Sequence, residues 1–151
     1  MVGEVSATPN DPLSHSVQVQ SAASAEGFDW EHVDGVLDKV AEELGEIRDA
    51  LNADDRDHAR RELGDLLLIS VNLARFLGAD PGAELRQATE RFATRFSFLK
   101  SALSKDEKTI KSCAADELEV YWKRIKPDAD KVLMKTLDMG PEDGANSSSV
   151  L

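Results

Sequence analysis
A chain of 151 residues is one domain's worth of protein, long enough to bury a core of its own. Its 29 acidic against 18 basic residues give a net charge of -11, which repels nucleic acid backbones and anionic membranes, so a polyanionic ligand needs metal cations or local Lys and Arg to bind. The single Cys113 excludes an internal disulfide and fits a reducing, cytoplasmic compartment, and no stretch approaches the ~20 apolar residues of a membrane span.

Residues 1–26 are rich in Ser, Ala, Val, Gln and Pro without helical periodicity, and read as a disordered arm. With no Lys or Arg in its first 25 residues and no apolar run of the needed length, the arm supports neither a secretory signal nor a transit peptide. A first helix is predicted from near Asp29, whose short carboxylate suits an N-cap, to about Asn52. Val33, Val36, Leu37, Val40, Leu44, Ile47 and Leu51 recur there at three- and four-residue steps, the spacing of one helix face. At about 100° per residue Glu43 falls within that stripe, Glu46 on its shoulder and Glu42 further round.

Residues 52–55 read as a turn that offers the next N-cap. A second helix is predicted from about 56 to 77, with Leu63, Leu66, Leu67, Ser70, Leu73, Ala74 and Leu77 as its stripe. Glu62 lies beside this stripe and Asp65 further out; Gly78, with Pro81 shortly after, stops the helix. A third helix, about 81–103, carries Leu85, Ala88, Phe92, Phe96 and Leu99 on one face. Residues 104–114 are polar and read as a loop. A fourth helix, about 115–125, has Leu118, Tyr121, Trp122 and Ile125 on its apolar side, and Pro127 limits its continuation. Residues 128–138 suit a further short helix, and 139–151 read as a disordered tail.

Short connections make successive helices antiparallel neighbours, so residues 27–138 are expected to form one all-α domain, an antiparallel four-helix bundle. Phe92, Phe96 and Phe98 lie on more than one side of the third helix and leave apolar surface for a second copy of the chain.

The acidic residues carry the chemistry. Glu43 with Glu46, and Glu62 with Asp65, are i,i+3 pairs one turn apart on consecutive helices. Carboxylates are common on solvated helix faces, but one aimed at a core costs several kcal/mol unless it is paired or bound to a cation. Two facing helices can gather four such groups into an oxygen cage for a hard divalent cation, Mg²⁺ with Mn²⁺ as a substitute, which binds through carboxylates, water and substrate phosphates. A di-iron bundle would need Glu-x-x-His on two helices, and no Glu here has a His three residues on. His32 and His58 have no His or Cys partner at ligand spacing and read as surface or helix-end residues; His15 lies in the arm. Arg91 and Arg95, and likewise Trp122 and Lys126, are i,i+4 pairs.

Glu42-Glu43-x-x-Glu46 followed after fifteen residues by Glu62-x-x-Asp65 resembles the signature of the MazG-like nucleoside triphosphate pyrophosphohydrolases. The likeness runs from about residue 27 to 126. It takes in Gly27-Phe28-Asp29-Trp30, Glu62 through Arg75, the turn from Leu77 to Pro81, and Phe92-x-x-Arg95-Phe96, all similar to the C-terminal catalytic domain of MazG. The resemblance implies a homodimer, with the site completed across its interface, that converts ribo- or deoxynucleoside triphosphates to monophosphates and pyrophosphate in nucleotide-pool house-cleaning. Glu43, Glu46, Glu62 and Asp65 would hold Mg²⁺ and Glu42 would orient or deprotonate the attacking water. Arg91, Arg95 and Lys126 would contact the triphosphate, and Trp122 the base or sugar. Thr89 and Arg91 stand where the family reads Asn and Lys, which keeps a second reading in play: a non-catalytic helical module that binds nucleotide or metal, or serves only in interaction.

Overall fold
The computed structural model describes residues 11–138. Five α-helices and one 3-10 turn follow in order: α1 (Pro12–Ala25), α2 (Val33–Asn52), α3 (Arg56–Phe76), α4 (Pro81–Lys105), the 3-10 turn Ile110–Ser112, and α5 (Ala115–Asp138). Every regular element among the described residues is helical, as expected. The chain divides into two compact units, the first ending at Leu85 and the second beginning at Arg86.

The first unit is built on the α2–α3 hairpin. The chain leaves α2 through Asp54 at φ 56, a left-handed conformation that Asp tolerates. Asp54 N donates to Leu51 O and Asp55 N to Ala50 O, closing the last turn of α2. Asp55 then caps α3, its carboxylate accepting from His58 N at 2.9 Å. So short a connection folds α3 back along α2. Val36, Ala50, Ala59, Ile69 and Val71 are buried in this unit, whereas Leu37, Leu44 and Leu51 of α2 and Leu63 and Leu67 of α3 stay about half exposed.

Two readings of the N-terminal stretch are corrected. Residues 12–25 of the expected disordered arm are a helix: Pro12 opens it and the Asp11 carboxylate accepts from Leu13 N and Ser14 N. No residue of α1 is buried, so the stretch has no apolar stripe to betray it, but Gln20 Nε2 donates to Leu68 O on α3 at 3.1 Å. Residues 1–10 and the tail 139–151 lie outside the described residues. Asp29 does not cap α2, which starts at Val33 after His32. Its carboxylate is taken instead by Arg75 and Ser24.

In the second unit Leu99 and Leu103 of α4 pack with Tyr121, Ile125 and Ala129 of α5, flanked by Phe98, Leu118 and Trp122. Helix α5 runs through Pro127 where two short helices were expected. An interior proline removes one backbone donor and costs about 3 kcal/mol. Here Ile125 and Ala129, buried on either side of it, hold both halves against α4, and Arg95 grips Asp130 beyond it through two bonds of 2.9 Å. The expected loop at 104–114 contains the 3-10 turn, closed by reciprocal Thr109 and Ser112 bonds.

Leu103 is 1 % exposed at the centre of the α4–α5 contact. Leu103→Ala is expected to lower unfolding free energy by about 3 kcal/mol, read from the urea midpoint of the helical signal. A loss below about 1 kcal/mol would mean that α4 and α5 do not share this core.

Candidate functional site
Helix α2 presents Lys39, Glu42, Glu43 and Glu46 within two turns, and α3 presents His58, Glu62 and Asp65. The hairpin brings the two sets together: one carboxylate oxygen from each of Glu43, Glu62 and Asp65 lies within 4.8 Å of the others. Glu43 is 2 % exposed. Its Oε1 accepts from Lys39 Nζ at 2.6 Å, while its Oε2 is buried with no hydrogen-bond partner among the described residues. A half-satisfied buried carboxylate is costly, and here it faces two more acids. Oxygen donors only, a high density of negative charge and one orphaned oxygen fit a hard divalent cation.

Glu46 adjoins this group. A hydrogen bond with Glu62, then burial, then the charges of Glu62 and Glu43 hold its carboxyl above the usual range. Glu42 sits outside the cage, more than half exposed, and bonds Lys39 Nζ at 3.0 Å. Lys39 therefore joins Glu42 to Glu43, and the two carboxylates raise its pKa. Sequence reasoning missed Lys39, and it set aside His58, whose Nε2 lies 2.8 Å from Glu62 Oε1. The available signal was the i,i+4 relation of each to an acid already singled out.

An open cleft of about 560 Å³ adjoins the acids. Glu43, Asp65 and Lys39 line it together with Phe28, Trp30, Asn72 and Arg75. Trp30 is held in place by a glycine: a Cβ at Gly35 would lie 2.7 Å from Trp30 Cε3. Arg75 donates from Nε to Asn72 Oδ1 at 3.0 Å and from a terminal nitrogen to Asp29, which also accepts from Ser24 Oγ at 2.6 Å. These bonds, the Arg75 contact first, pull the Asp29 pKa down to about 2.

The predicted substrate-binding residues belong to the second unit. Arg95 is engaged bidentately by Asp130, and Arg91 is exposed on the same helix. The Trp122 ring packs on Phe92 at 5.6 Å between centroids, and Lys126 is half-buried one turn further along α5.

The MazG nucleotide pyrophosphohydrolase domain family matches residues 31–98. The chain is 39% identical over 114 residues to a protein of Thermotoga maritima named nucleoside triphosphate pyrophosphohydrolase/pyrophosphatase MazG, covering 76% of this chain and 44% of that one. It is 31% identical over 116 residues to the nucleoside triphosphate pyrophosphohydrolase of Escherichia coli K12, with the same coverage. A shorter match, 29% identical over 67 residues, covers 14% of the uncharacterized protein YabN of Bacillus subtilis. The chain spans less than half the length of these curated relatives.

Because the folded pKa of Asp29 is depressed from 3.8 to about 2, its stabilising contribution is present above about pH 4 and is lost as pH falls through 2. Thermal melts from about pH 5 to pH 2 should show a steeper fall for the wild type than for Asp29→Asn, which is already weakened at neutral pH. Parallel curves for the two proteins would show that the Arg75 pairing contributes nothing.

Proposed function
The chain belongs to the MazG nucleotide pyrophosphohydrolase domain family, and from that membership we propose that it is a Mg²⁺-dependent nucleoside triphosphate pyrophosphohydrolase. The observation that supports this reading best is the orphaned, buried Oε2 of Glu43 beside Glu62 and Asp65. Glu43, Glu46, Glu62 and Asp65 would hold the metal, which Mn²⁺ would also satisfy. A bound divalent ion supplies neutralisation of phosphate charge and a lower pKa for a coordinated water.

The remaining roles fall to side chains. Glu42, tethered through Lys39 to Glu43, takes the proton of the attacking water. Water opens the α–β anhydride, leaving a nucleoside monophosphate and pyrophosphate. Arg91, Arg95 and Lys126 stabilise the charge that develops on the leaving pyrophosphate, and Trp122 takes the sugar or base. Arg95 must first exchange Asp130 for phosphate, a modest cost for a partly exposed pair. The substrates are ribo- or deoxynucleoside triphosphates in the cytoplasm, where the enzyme would clear the nucleotide pool. No helix among the described residues is long and apolar enough to cross a membrane.

The same reading includes a homodimer. Leu37, Leu44 and Leu51 recur every seven residues along one side of α2 and stay about half exposed, apolar surface that a second copy of the chain would cover. Sedimentation at micromolar concentration should give about twice the chain mass of 16.5 kDa, and a single species at that mass would count against assembly.

Pyrophosphate release from a panel of nucleoside triphosphates, with Mg²⁺ and with excess chelator, tests the activity. We expect metal-dependent release that falls at least about a thousandfold in Glu43→Ala or Glu62→Gln while the helical signal persists. Full activity in either variant would sink the metal assignment. Silence from the folded wild type would favour the non-catalytic binding module, with Thr89 and Arg91 as the departures to examine.

A further inference from the structure
We infer that Lys39 is a positioning residue whose ammonium stands in for the divalent cation, holding Glu43 while the acidic site is without metal and yielding that carboxylate to the ion that binds. The inference rests on the proposed metal site and adds the residue that sets how tightly the site loads.

Lys39 lies one turn before Glu43 on α2, and among the described residues it is the basic side chain paired with that buried carboxylate, at 2.6 Å. It also meets Glu42, at 3.0 Å. The two partners are unequal. Glu43 is buried and gathers with Glu62 and Asp65, whereas the Glu42 side chain is more than half exposed and stands outside that group. One ammonium thus has a hold inside the cage and a second hold beside it. The Lys39 side chain is itself 32 % exposed and lines the cleft that adjoins the acids. The other base at the cage, His58, meets Glu62 and not Glu43.

A buried carboxylate persists only with a cation or hydrogen-bond donors to meet it, and Lys39 meets one of the two oxygens of Glu43. A single positive charge cannot balance Glu43, Glu62 and Asp65 together. A hard divalent ion carries twice the charge and takes oxygen donors, so it wins the contest for the shared carboxylate. Two cations serving one carboxylate repel each other, and the one with an alternative gives way. Lys39 has that alternative in a flexible four-carbon stem, a path to solvent, and Glu42 already in contact. The antagonism is reciprocal: the hold that Lys39 keeps on Glu43 without metal is the hold that the ion must displace.

The experiment measures Mn²⁺ and Mg²⁺ binding by calorimetry, without nucleotide, for the wild type, Lys39→Met and Lys39→Arg. Lys131→Met, which removes the same charge from an exposed pair in the second unit, is the control for net charge. Lys39→Met should bind metal about tenfold more tightly than the wild type, and Lys39→Arg and Lys131→Met should bind as the wild type does. In excess chelator Lys39→Met should melt about 4 °C below the wild type, and saturating Mg²⁺ should close most of that gap. Equal or weaker binding by Lys39→Met, equal tightening in Lys131→Met, or a melting deficit that metal does not change overturns the inference and leaves the metal site standing. Absence of metal binding by both the wild type and Lys39→Met overturns the metal site and the inference with it. Turnover is not read, so silence in the pyrophosphate assay bears on the activity alone. Where Lys39→Met does not fold, acylation of the Lys39 amine in the wild type, mapped by mass spectrometry, decides: labelling that rises several-fold on adding Mg²⁺ upholds the exchange, and labelling that stays level or falls refutes it.

Discussion
The first unit is arranged around a carboxylate taken out of water and only half satisfied. Lys39 meets one oxygen of Glu43, and the other is buried without a donor. A single ammonium balances a single carboxylate, yet Glu62 and Asp65 stand within 4.8 Å of the same group, and Glu46 is driven toward protonation beside Glu62. Charge of one sign at that density persists only where backbone geometry forces it. The force comes from the α2–α3 turn. Asp54 and Asp55 close one helix and open the next within a few residues, which fixes the register at which Glu43 meets Glu62.

On the proposed reading the second unit has a different task, that of keeping cationic side chains ordered while leaving them exchangeable. Its core of Leu99, Leu103, Tyr121, Ile125 and Ala129 fixes α4 against α5 without using a charge. Arg95 can then be held in shape by Asp130, and the phosphorus chemistry proposed for it needs that same fork. If Arg95 binds phosphate as proposed, the aspartate would serve as a placeholder that keeps the guanidinium extended, so that little side-chain entropy would remain to be lost on exchange.

The helical class, the α2–α3 pair and its acidic face were legible in the sequence because the apolar period runs unbroken from Val33 to Leu51 and from Leu63 to Leu77, and because the turn before α3 offers the N-cap that Asp55 supplies. The stripe-edge position of Glu43 signalled burial, and Glu43 is buried. Helix α1 was illegible because it has no amphipathic pattern; Asp11 and Pro12 were its only marks, and its links to α3 are long-range bonds, from Gln20 to a carbonyl 48 residues away and from Arg75 to Ser24. Pro127 misled for the converse reason, since a local rule for ending helices yielded to packing on both sides of it. Asp29 suited an N-cap by type and position, but a long-range partner, Arg75, outcompeted the free N–H groups of α2. Lys39 and His58 carry no metal-ligand spacing of their own, and only their i,i+4 relation to Glu43 and Glu62 marks them.

Gly35 offers a final lesson in how such a site is inherited. It lies inside α2, where glycine weakens the helix, and its φ requires nothing special. What forbids a side chain there is the indole of Trp30 at 2.7 Å from the missing Cβ. Positions 30 and 35 are therefore one genetic unit. A smaller residue at 30 would free 35 to become alanine and strengthen α2, whereas alanine at 35 with Trp30 retained would force the ring from its seat. Among related sequences the two positions should change together, and a lineage that trades them has chosen a sturdier helix over a flat-walled pocket.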